Sequence, residues 1–428
     1  MDSASRRVII GLDGVPFEML ERLAQRDVMP HTGRLINGGV FRRMSSTIPE
    51  VSSVAWSSVI TGSNPGQHGI FGFTELPINT YRLSFPNFNS LRVAPFWERD
   101  VSKRCFIVNV PSTFPARAMN GIMLSGFVAL DLERAVYPSS LLPMLRQMDY
   151  RIDVDSGKAH QSMELFLRDL DKTLEARISV YRYLWGQQWD TFMLVFTGTD
   201  RLMHFLWDAY TDINHEYHES FINHFRKIDE VIGEILRSLT DEDTFIVLSD
   251  HGFETLTADV HINAFLKQNG FLKLSDDIAG SYADIDCGTR AFGLDPGRIY
   301  LNMEDRYPKG AVREQEREGM LRELEAFFGG LQQEGRKVIK KIYRKEELYR
   351  GPYLDFAPDL ILLGEEGFNL KAGIGSNDLF SKSLFTGKHR DDNAFLLVRG
   401  RHNDKITPAH PSVTDIIGLI DCIKRRGR

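Results

Sequence analysis

The chain has 428 residues, of which 42% are hydrophobic and 26% are charged, as is typical of a folded globular protein. The formal net charge of −6 excludes an overall basic field for binding a nucleic-acid polymer or an anionic membrane surface. Three widely spaced cysteines exclude a disulfide framework, and no apolar run is long enough for a membrane span.

The first predicted element is a buried strand over residues 7–12, an apolar run that ends at Asp13 and Gly14. Only six residues precede this strand, which leaves no room for a signal peptide. We therefore expect a cytoplasmic protein.

A serine pair, Ser52 and Ser53, precedes a predicted helix over residues 54–60. Serine at a helix start most often caps the helix, and this is one interpretation of the pair. The other interpretation is catalytic, because a helix N-terminus binds phosphate and a metal-bound serine can attack phosphorus. The residues alone leave both interpretations open.

Further strands are predicted over residues 104–109, 191–197 and 244–249. Asp200 follows the second of these strands by a few residues, and Asp250 follows the third immediately. Between strands, apolar residues at steps of three and four predict amphipathic helices. The alternation indicates an α/β fold with a mainly parallel sheet, in which ligands bind beyond the carboxyl ends of the strands.

The stretch of residues 267–352 interrupts this alternation with a turn-rich segment and a charged helix. We expect it to be an inserted cap that determines substrate specificity, and residues 1–266 and 353–428 to form the catalytic core. The apolar run over residues 360–363 is expected to return to the main sheet.

Six residues near strand ends supply three carboxylates and three imidazoles, which is a ligand set for two adjacent metal ions. They are Asp13, Asp200, His204, Asp250, His251 and His389. On a helix, His204 lies one turn after Asp200, so both side chains can reach one ion. Such ligands suit Zn²⁺ most, with Mn²⁺ or iron as alternatives. Any one of these residues alone is more often structural, so the prediction depends on their shared placement.

Five segments, in chain order, resemble the alkaline phosphatase superfamily, and most closely its type I phosphodiesterase/nucleotide pyrophosphatase branch. They read GLDG, PEVSSVAWSSVITGSNPGQHGIFGF, TGTDRLMHFLWD, SDHGF and GKHRDDNAFLLVRG. The likeness is strongest to prokaryotic members that lack a secretion signal. It implies a three-layer α/β/α sandwich with a mostly parallel central sheet and an inserted cap.

The resemblance also implies a role for each matching residue. One ion is expected on Asp200, His204 and His389, and the other on Asp13, Asp250, His251 and the nucleophile. The family's nucleophile stands nine positions before the threonine of a Thr-Gly pair; counting back from Thr61 gives Ser52, and its neighbour Ser53 stays an alternative. The candidate substrate contacts are Lys388, Trp56 and Asn109.

The implied activity is hydrolysis of a phosphodiester or pyrophosphate bond in a small phosphate ester or nucleotide-like substrate, through a phosphoseryl intermediate. A phosphomonoesterase or phosphomutase on the same metals is the nearest alternative, and a non-catalytic metal-binding protein is a third. The chain lacks the Phe-Pro-Asn-His run that follows the nucleophile in secreted nucleotide pyrophosphatases, which puts nucleotide specificity in doubt. Val54 and Trp56 stand where sulfatases need proline and arginine, which argues against a sulfatase.

Overall fold

The computed structural model describes residues 5–275, 280–400 and 403–420, and these residues form two compact units. The first unit consists of the described parts of Met1–Ser63, Asn87–Phe253 and His389–Arg428. The second consists of the described parts of Asn64–Pro86 and Glu254–Lys388. All six predicted metal ligands and both serines belong to the first unit.

The first unit is built on an eight-stranded sheet. In spatial order its strands are Val40–Met44, Ala394–Arg399, Thr244–Leu248, Arg7–Leu12, Thr191–Phe196, Cys105–Val110, Gly121–Ser125 and Val136–Tyr137. The run of five from Thr244–Leu248 to Gly121–Ser125 is parallel, whereas Ala394–Arg399 and Val136–Tyr137 pair antiparallel with their neighbours. The predicted α/β fold with a mostly parallel central sheet is confirmed.

The central strands are buried on both faces because they are nearly continuous apolar runs. Every residue of Arg7–Leu12 and Thr191–Phe196 is buried, and the two strands pair in step from Arg7 opposite Thr191 to Leu12 opposite Phe196. Gly11 also lies opposite Leu248 on the other neighbouring strand. The carboxyl ends of these three strands therefore lie level at one edge of the sheet.

Helices connect the strands of the first unit. They are Phe17–Gln25, Pro30–Gly38, Ser52–Thr61, Phe96–Arg99, Leu132–Ala135, Leu142–Gln147, Met163–Trp185, Gly198–Thr211, His218–Ser238 and Asn403–Ile406. Phe221, Phe225, Ile228, Ile232 and Ile235 follow one another at steps of three and four, and all five are buried in helix His218–Ser238. That amphipathic helix is therefore confirmed.

The second unit has an antiparallel sheet in the order Ala291–Leu294, Arg298–Leu301, Leu360–Gly364 and Ile339–Arg344. A three-stranded sheet has the order Phe368–Lys371, Ala258–His261 and Phe380–Ser381. A two-stranded sheet pairs Gln332–Gln333 with Arg336–Lys337. Its helices are Pro65–His68, Ile262–Gln268, Glu314–Gly329 and Lys345–Leu348. The chain passes from one unit to the other at four positions, and the paired strands Gly252–Thr255 and Gly387–Arg390 contain two of them.

The structure divides the chain at positions other than the predicted limits of residues 267–352. Tyr81 donates a hydrogen bond to Asn302 Oδ1 at 2.7 Å, which ties the early segment Asn64–Pro86 to the second unit. The prediction for residues 360–363 is wrong, because Leu360–Gly364 joins the second unit's sheet rather than the main one. A short apolar run indicates a buried strand but not the sheet to which it belongs. That the second unit acts as a cap stays a prediction.

Candidate active site

Three adjacent strands bring three carboxylates to one edge of the main sheet. Asp13 follows Arg7–Leu12 directly, and Asp250 comes two residues after Thr244–Leu248. Asp200 lies in the first turn of helix Gly198–Thr211, which begins two residues after the strand on the other side of Arg7–Leu12. All three carboxylates are almost fully buried. Their meeting point is the place where ligands bind in sheets of this kind.

One group of side chains surrounds Ser52. Ser52 Oγ lies 3.3 Å from Asp13 Oδ1 and 3.1 Å from His251 Nε2. His251 Nε2 is 3.6 Å from Asp13 Oδ1 and 3.4 Å from Asp250 Oδ2. Ligand atoms of Asp13, Asp250 and His251 all lie within 4.8 Å of one another, so one metal ion can contact all three.

A second group contains Asp200, His204 and His389. His389 Nε2 lies 3.0 Å from Asp200 Oδ1 and 2.9 Å from His204 Nε2, while His204 Nε2 is 3.5 Å from Asp200 Oδ1. His251 is also within reach of Asp200 and His389, and its ring centroid lies 3.8 Å from that of His389. The two groups therefore adjoin each other, with His251 between them.

Backbone carbonyls determine which nitrogen of two histidines faces the site. His389 Nδ1 donates to the carbonyl oxygen of Glu50 at 2.9 Å, and His251 Nδ1 donates to that of Gly252 at 3.1 Å. Each Nε2 is left as the unprotonated atom that can bind a metal. A hydrogen bond from the other ring nitrogen is the usual arrangement around metal-binding histidines.

Arg201 is bound on the outer side of Asp200. Its Nη1 lies 2.9 Å from Asp200 Oδ2, its Nη2 lies 3.0 Å from Asp153 Oδ2, and its guanidinium stacks over Phe127 at 4.2 Å. Burial opposes its charge, but the carboxylates of Asp153 and Asp200 raise the pKa of Arg201 above its ordinary value. Arg201 thus stays charged and holds Asp200 Oδ2, while Asp200 Oδ1 faces the histidines.

The site concentrates negative charge. Burial, with repulsion from Asp250 and Asp200, raises the pKa of Asp13 well above its ordinary value, and burial raises the pKa of Asp250 to about 7. Asp200 differs: burial would raise its pKa, but His204 and His389 lower it. Burial, together with His389, lowers the pKa of His251 to about 4, which keeps that ring neutral. Crowded, buried carboxylates beside the neutral ring of His251 favour a bound cation.

The residues present fit a divalent metal site. Asp250 Oδ2 is buried and accepts no hydrogen bond from any described residue, although an orphaned carboxylate oxygen is costly in the interior. The same oxygen points toward His251 Nε2, another candidate ligand. A cation bound there would satisfy both atoms and relieve the repulsion between the carboxylates.

The side-chain nitrogens of three predicted substrate contacts are already hydrogen-bonded within the protein, although the buried Oδ1 of Asn109 accepts no hydrogen bond from any described residue. Lys388 is buried and its Nζ binds Glu254 Oε1 at 2.8 Å within the second unit. Asn109 is fully buried, and its Nδ2 donates to the carbonyl oxygen of Val195 and to Thr197 Oγ1. Trp56 is fully buried, and its Nε1 donates to Asp13 Oδ2 at 3.0 Å. Trp56 therefore supports a carboxylate of the site and is not available to stack on a substrate.

Two residues beside the site, Arg201 and Asp153, are not indicated by the sequence patterns. Arg201 is adjacent to Asp200, and that adjacency was the only indication of its contact. Asp153 lies in an irregular segment between helices Leu142–Gln147 and Met163–Trp185, where no periodic pattern points to it. Its link to Arg201 depends on tertiary packing.

The mostly parallel sheet has an alkaline phosphatase-like fold, with carboxylates and imidazoles at its strand ends and, beside them, a serine that begins a helix. Residues 7–391 match the type I phosphodiesterase/nucleotide pyrophosphatase family, and the chain belongs to that family of metal-dependent phosphoester hydrolases. No curated protein sequence matches the chain significantly.

Solved structures show the same fold at low sequence identity. Phosphonoacetate hydrolase from Sinorhizobium meliloti 1021 is 14% identical with a TM-score of 0.64, covering 98% of this chain and 95% of that chain. Murine ectonucleotide pyrophosphatase/phosphodiesterase 5 is 12% identical with a TM-score of 0.58, and the human protein is 13% identical with a TM-score of 0.59. Both of these comparisons also cover 98% of this chain and 95% of the other chain. Within the described ranges, no helix is both long and apolar enough to cross a membrane.

Proposed function

We propose that this protein is a two-metal hydrolase that cleaves a phosphodiester or pyrophosphate bond through a covalent intermediate on Ser52. The position of Ser52 Oγ carries the proposal, since it lies 3.3 Å from Asp13 Oδ1 and 3.1 Å from His251 Nε2, both candidate ligands. Ser53 Oγ is buried and makes no hydrogen bond within the described part of the chain. These contacts favour Ser52 over Ser53.

We assign two divalent ions to the two groups of side chains. Asp200, His204 and His389 would hold one ion, and Asp13, Asp250, His251 and Ser52 would hold the other. Bound ions of this kind supply Lewis-acid stabilisation of phosphoryl oxygens and lower the pKa of a coordinated hydroxyl. The ligand chemistry favours Zn²⁺, with Mn²⁺ as the second choice.

Ser52 is placed to attack a phosphoryl group. It is the first residue of helix Ser52–Thr61, and the N-terminus of such a helix attracts an anionic phosphate. Attack forms an Oγ–P bond and breaks the bond from phosphorus to the leaving oxygen, which departs with its electron pair. The Ser52 hydroxyl donates its hydrogen bond to Asp13 Oδ1, and the proton that the hydroxyl loses on attack is taken up in the end by the departing oxygen. Water then cleaves the Oγ–P bond, which releases the phosphoryl product and restores the serine.

We propose a small phosphate ester or nucleotide-like molecule as the substrate. In support, the S. meliloti hydrolase was solved with phosphonoacetate and murine ectonucleotide pyrophosphatase/phosphodiesterase 5 with AMP, both small phosphoryl compounds. Phosphomonoesterase and phosphomutase activity are the alternatives that an assay must separate. The cytoplasmic location expected from the sequence stays a prediction.

The proposal is tested by comparing Ser52→Ala with the matched neighbour variant Ser53→Ala. Apo-enzyme is loaded with Zn²⁺ or Mn²⁺, bound metal is counted, and turnover is measured on an aryl phosphodiester and an aryl phosphomonoester. We expect the diester to be preferred, Ser52→Ala to lose at least about 10³-fold in kcat with metal retained, and Ser53→Ala to remain within a few-fold of wild type. If only Ser53→Ala lost activity, the nucleophile would be Ser53 and not Ser52. A metal-loaded wild type inactive on both esters would refute hydrolysis.

A further inference from the structure

The indole of Trp56 is a fixed donor beneath the site. Its side chain is fully buried, in an apolar cluster that also contains Ile9, Val59 and Val195. Its one polar atom, Nε1, lies 3.0 Å from Asp13 Oδ2. A buried tryptophan usually directs its N–H to an acceptor, and here the acceptor is a candidate metal ligand.

One face of helix Ser52–Thr61 contacts both oxygens of Asp13. Ser52 and Trp56 are four residues apart, so their side chains lie on the same side of the helix. Ser52 Oγ is 3.3 Å from Oδ1, and Trp56 Nε1 is 3.0 Å from Oδ2. Because an indole can only donate a hydrogen bond, Asp13 Oδ2 is the acceptor in this contact, and the other oxygen of the same side chain faces Ser52 and His251.

Gly11 provides the space in which the indole lies. A Cβ atom on Gly11 would come within 2.3 Å of Trp56 Cη2 and 2.9 Å of Val195 Cγ2. The ring therefore rests against the backbone of strand Arg7–Leu12, two residues before Asp13. The packing of helix Ser52–Thr61 on strand Arg7–Leu12 thus fixes the indole N–H of Trp56 relative to Asp13 Oδ2.

We propose that Trp56 is a positioning residue of the metal site, whose indole N–H holds Asp13 Oδ2 so that Oδ1 faces Ser52 and the ion bound there. The inference rests on the two-metal assignment of the proposed function. Groups that hydrogen-bond the outer atom of a metal ligand set its orientation, and their loss typically lowers metal affinity by about 10- to 100-fold.

Trp56→Phe tests this role, because phenylalanine keeps an aromatic ring and removes the donor. Trp97→Phe is the matched control: Trp97 is buried in the same apolar cluster, and its Nε1 has no hydrogen-bond partner among the residues described. Apo forms of each protein are titrated with Zn²⁺ and Mn²⁺ in competition with a chromophoric chelator, and kcat and KM are then measured on the aryl phosphodiester.

We expect Trp56→Phe to weaken one of the two metal sites by about 10- to 100-fold and to lower kcat, with KM changed by a few-fold at most. Trp97→Phe is expected to match wild type in metal affinity and in both kinetic constants. Should Trp56→Phe fail to fold, 3-benzothienylalanine at position 56 replaces the N–H with sulfur in a ring of equal size, and the same loss of affinity is expected.

Unchanged metal affinity in the folded Trp56 variants would overturn the positioning role, whatever the activity of the wild-type protein. Equal losses in Trp56→Phe and Trp97→Phe would also overturn it, because they would indicate a general packing effect. A wild-type protein that binds no divalent ion would instead refute the two-metal assignment, and this inference with it.

Discussion

At the scale of single residues, His224 shows how burial, more than any neighbouring charge, sets the charge of an imidazole. It lies in helix His218–Ser238, is almost fully buried, and its Nε2 finds no hydrogen-bond partner in the described ranges. Burial lowers its pKa to about 3, so the ring stays neutral in the folded protein at mildly acidic pH. The unfolded chain, by contrast, binds a proton at the ordinary pKa of about 6.5.

Because of this difference in proton binding, we expect His224 to make the folded protein less stable at acidic pH, and His224→Gln to remove this loss of stability. Between about pH 6.5 and pH 3 the unfolded state binds one more proton at this position, so the free energy of unfolding falls as the pH falls. A single group contributes up to about 1.4 kcal/mol per pH unit. Urea unfolding at pH 7, 6 and 5 should show a flatter dependence for His224→Gln than for wild type.

The control for this prediction is His160→Gln, because His160 is exposed and lies in the same unit. Its pH dependence should follow that of wild type. If His224→Gln and wild type lose stability equally between pH 7 and pH 5, His224 is not held neutral by burial.

At the scale of elements, the site depends on how helix Ser52–Thr61 packs on strand Arg7–Leu12. The strand places Asp13 at its carboxyl end, and the helix supplies Ser52 and Trp56 to opposite oxygens of that carboxylate. The packing requires that Gly11 lack a side chain, since a Cβ there would overlap the ring of Trp56. Adding one methyl group at Gly11 should therefore alter metal binding at the site.

Gly11→Ala is expected to destabilise the protein by roughly 1–3 kcal/mol, because overpacking in a rigid core forces side chains from their preferred positions. It should also weaken metal binding, since displacement of Trp56 releases Asp13 Oδ2. Chemical denaturation and metal titration measure the two effects. Gly33→Ala in helix Pro30–Gly38 is the control, because its Cβ would meet the nearest atoms at an ordinary 3.6 Å. A Gly11→Ala protein as stable as Gly33→Ala would contradict this account of the packing.

Much of the site could be predicted because its residues follow visible strand patterns. Asp13 and Asp250 come at or just after the ends of apolar runs, and Asp200 with His204 has the spacing of one helical turn. The side on which Trp56 lies could not be predicted, because it depends on contact with Gly11, a residue far away in the chain. For the same reason, the buried pairing of Lys388 with Glu254 was not visible in the sequence.

At the scale of the whole molecule, local patterns gave the fold class but not the division into units. The segment Asn64–Pro86 precedes most of the main sheet in the chain, yet it belongs to the second unit through contacts such as that of Tyr81 with Asn302. The strand Leu360–Gly364 resembles a core strand in composition but pairs with Arg298–Leu301. Both features are set by contacts between residues distant in sequence, which periodicity does not encode.

The proposed reaction passes through a covalent intermediate at Ser52, and this intermediate can be observed directly. The metal-loaded enzyme is mixed with an aryl phosphodiester, quenched in acid within one turnover, digested and mapped by peptide mass. We predict an aryl phosphoryl adduct on Ser52 that is absent from Ser52→Ala. An adduct on Ser53 or on any other residue, or turnover without any adduct, would contradict the account.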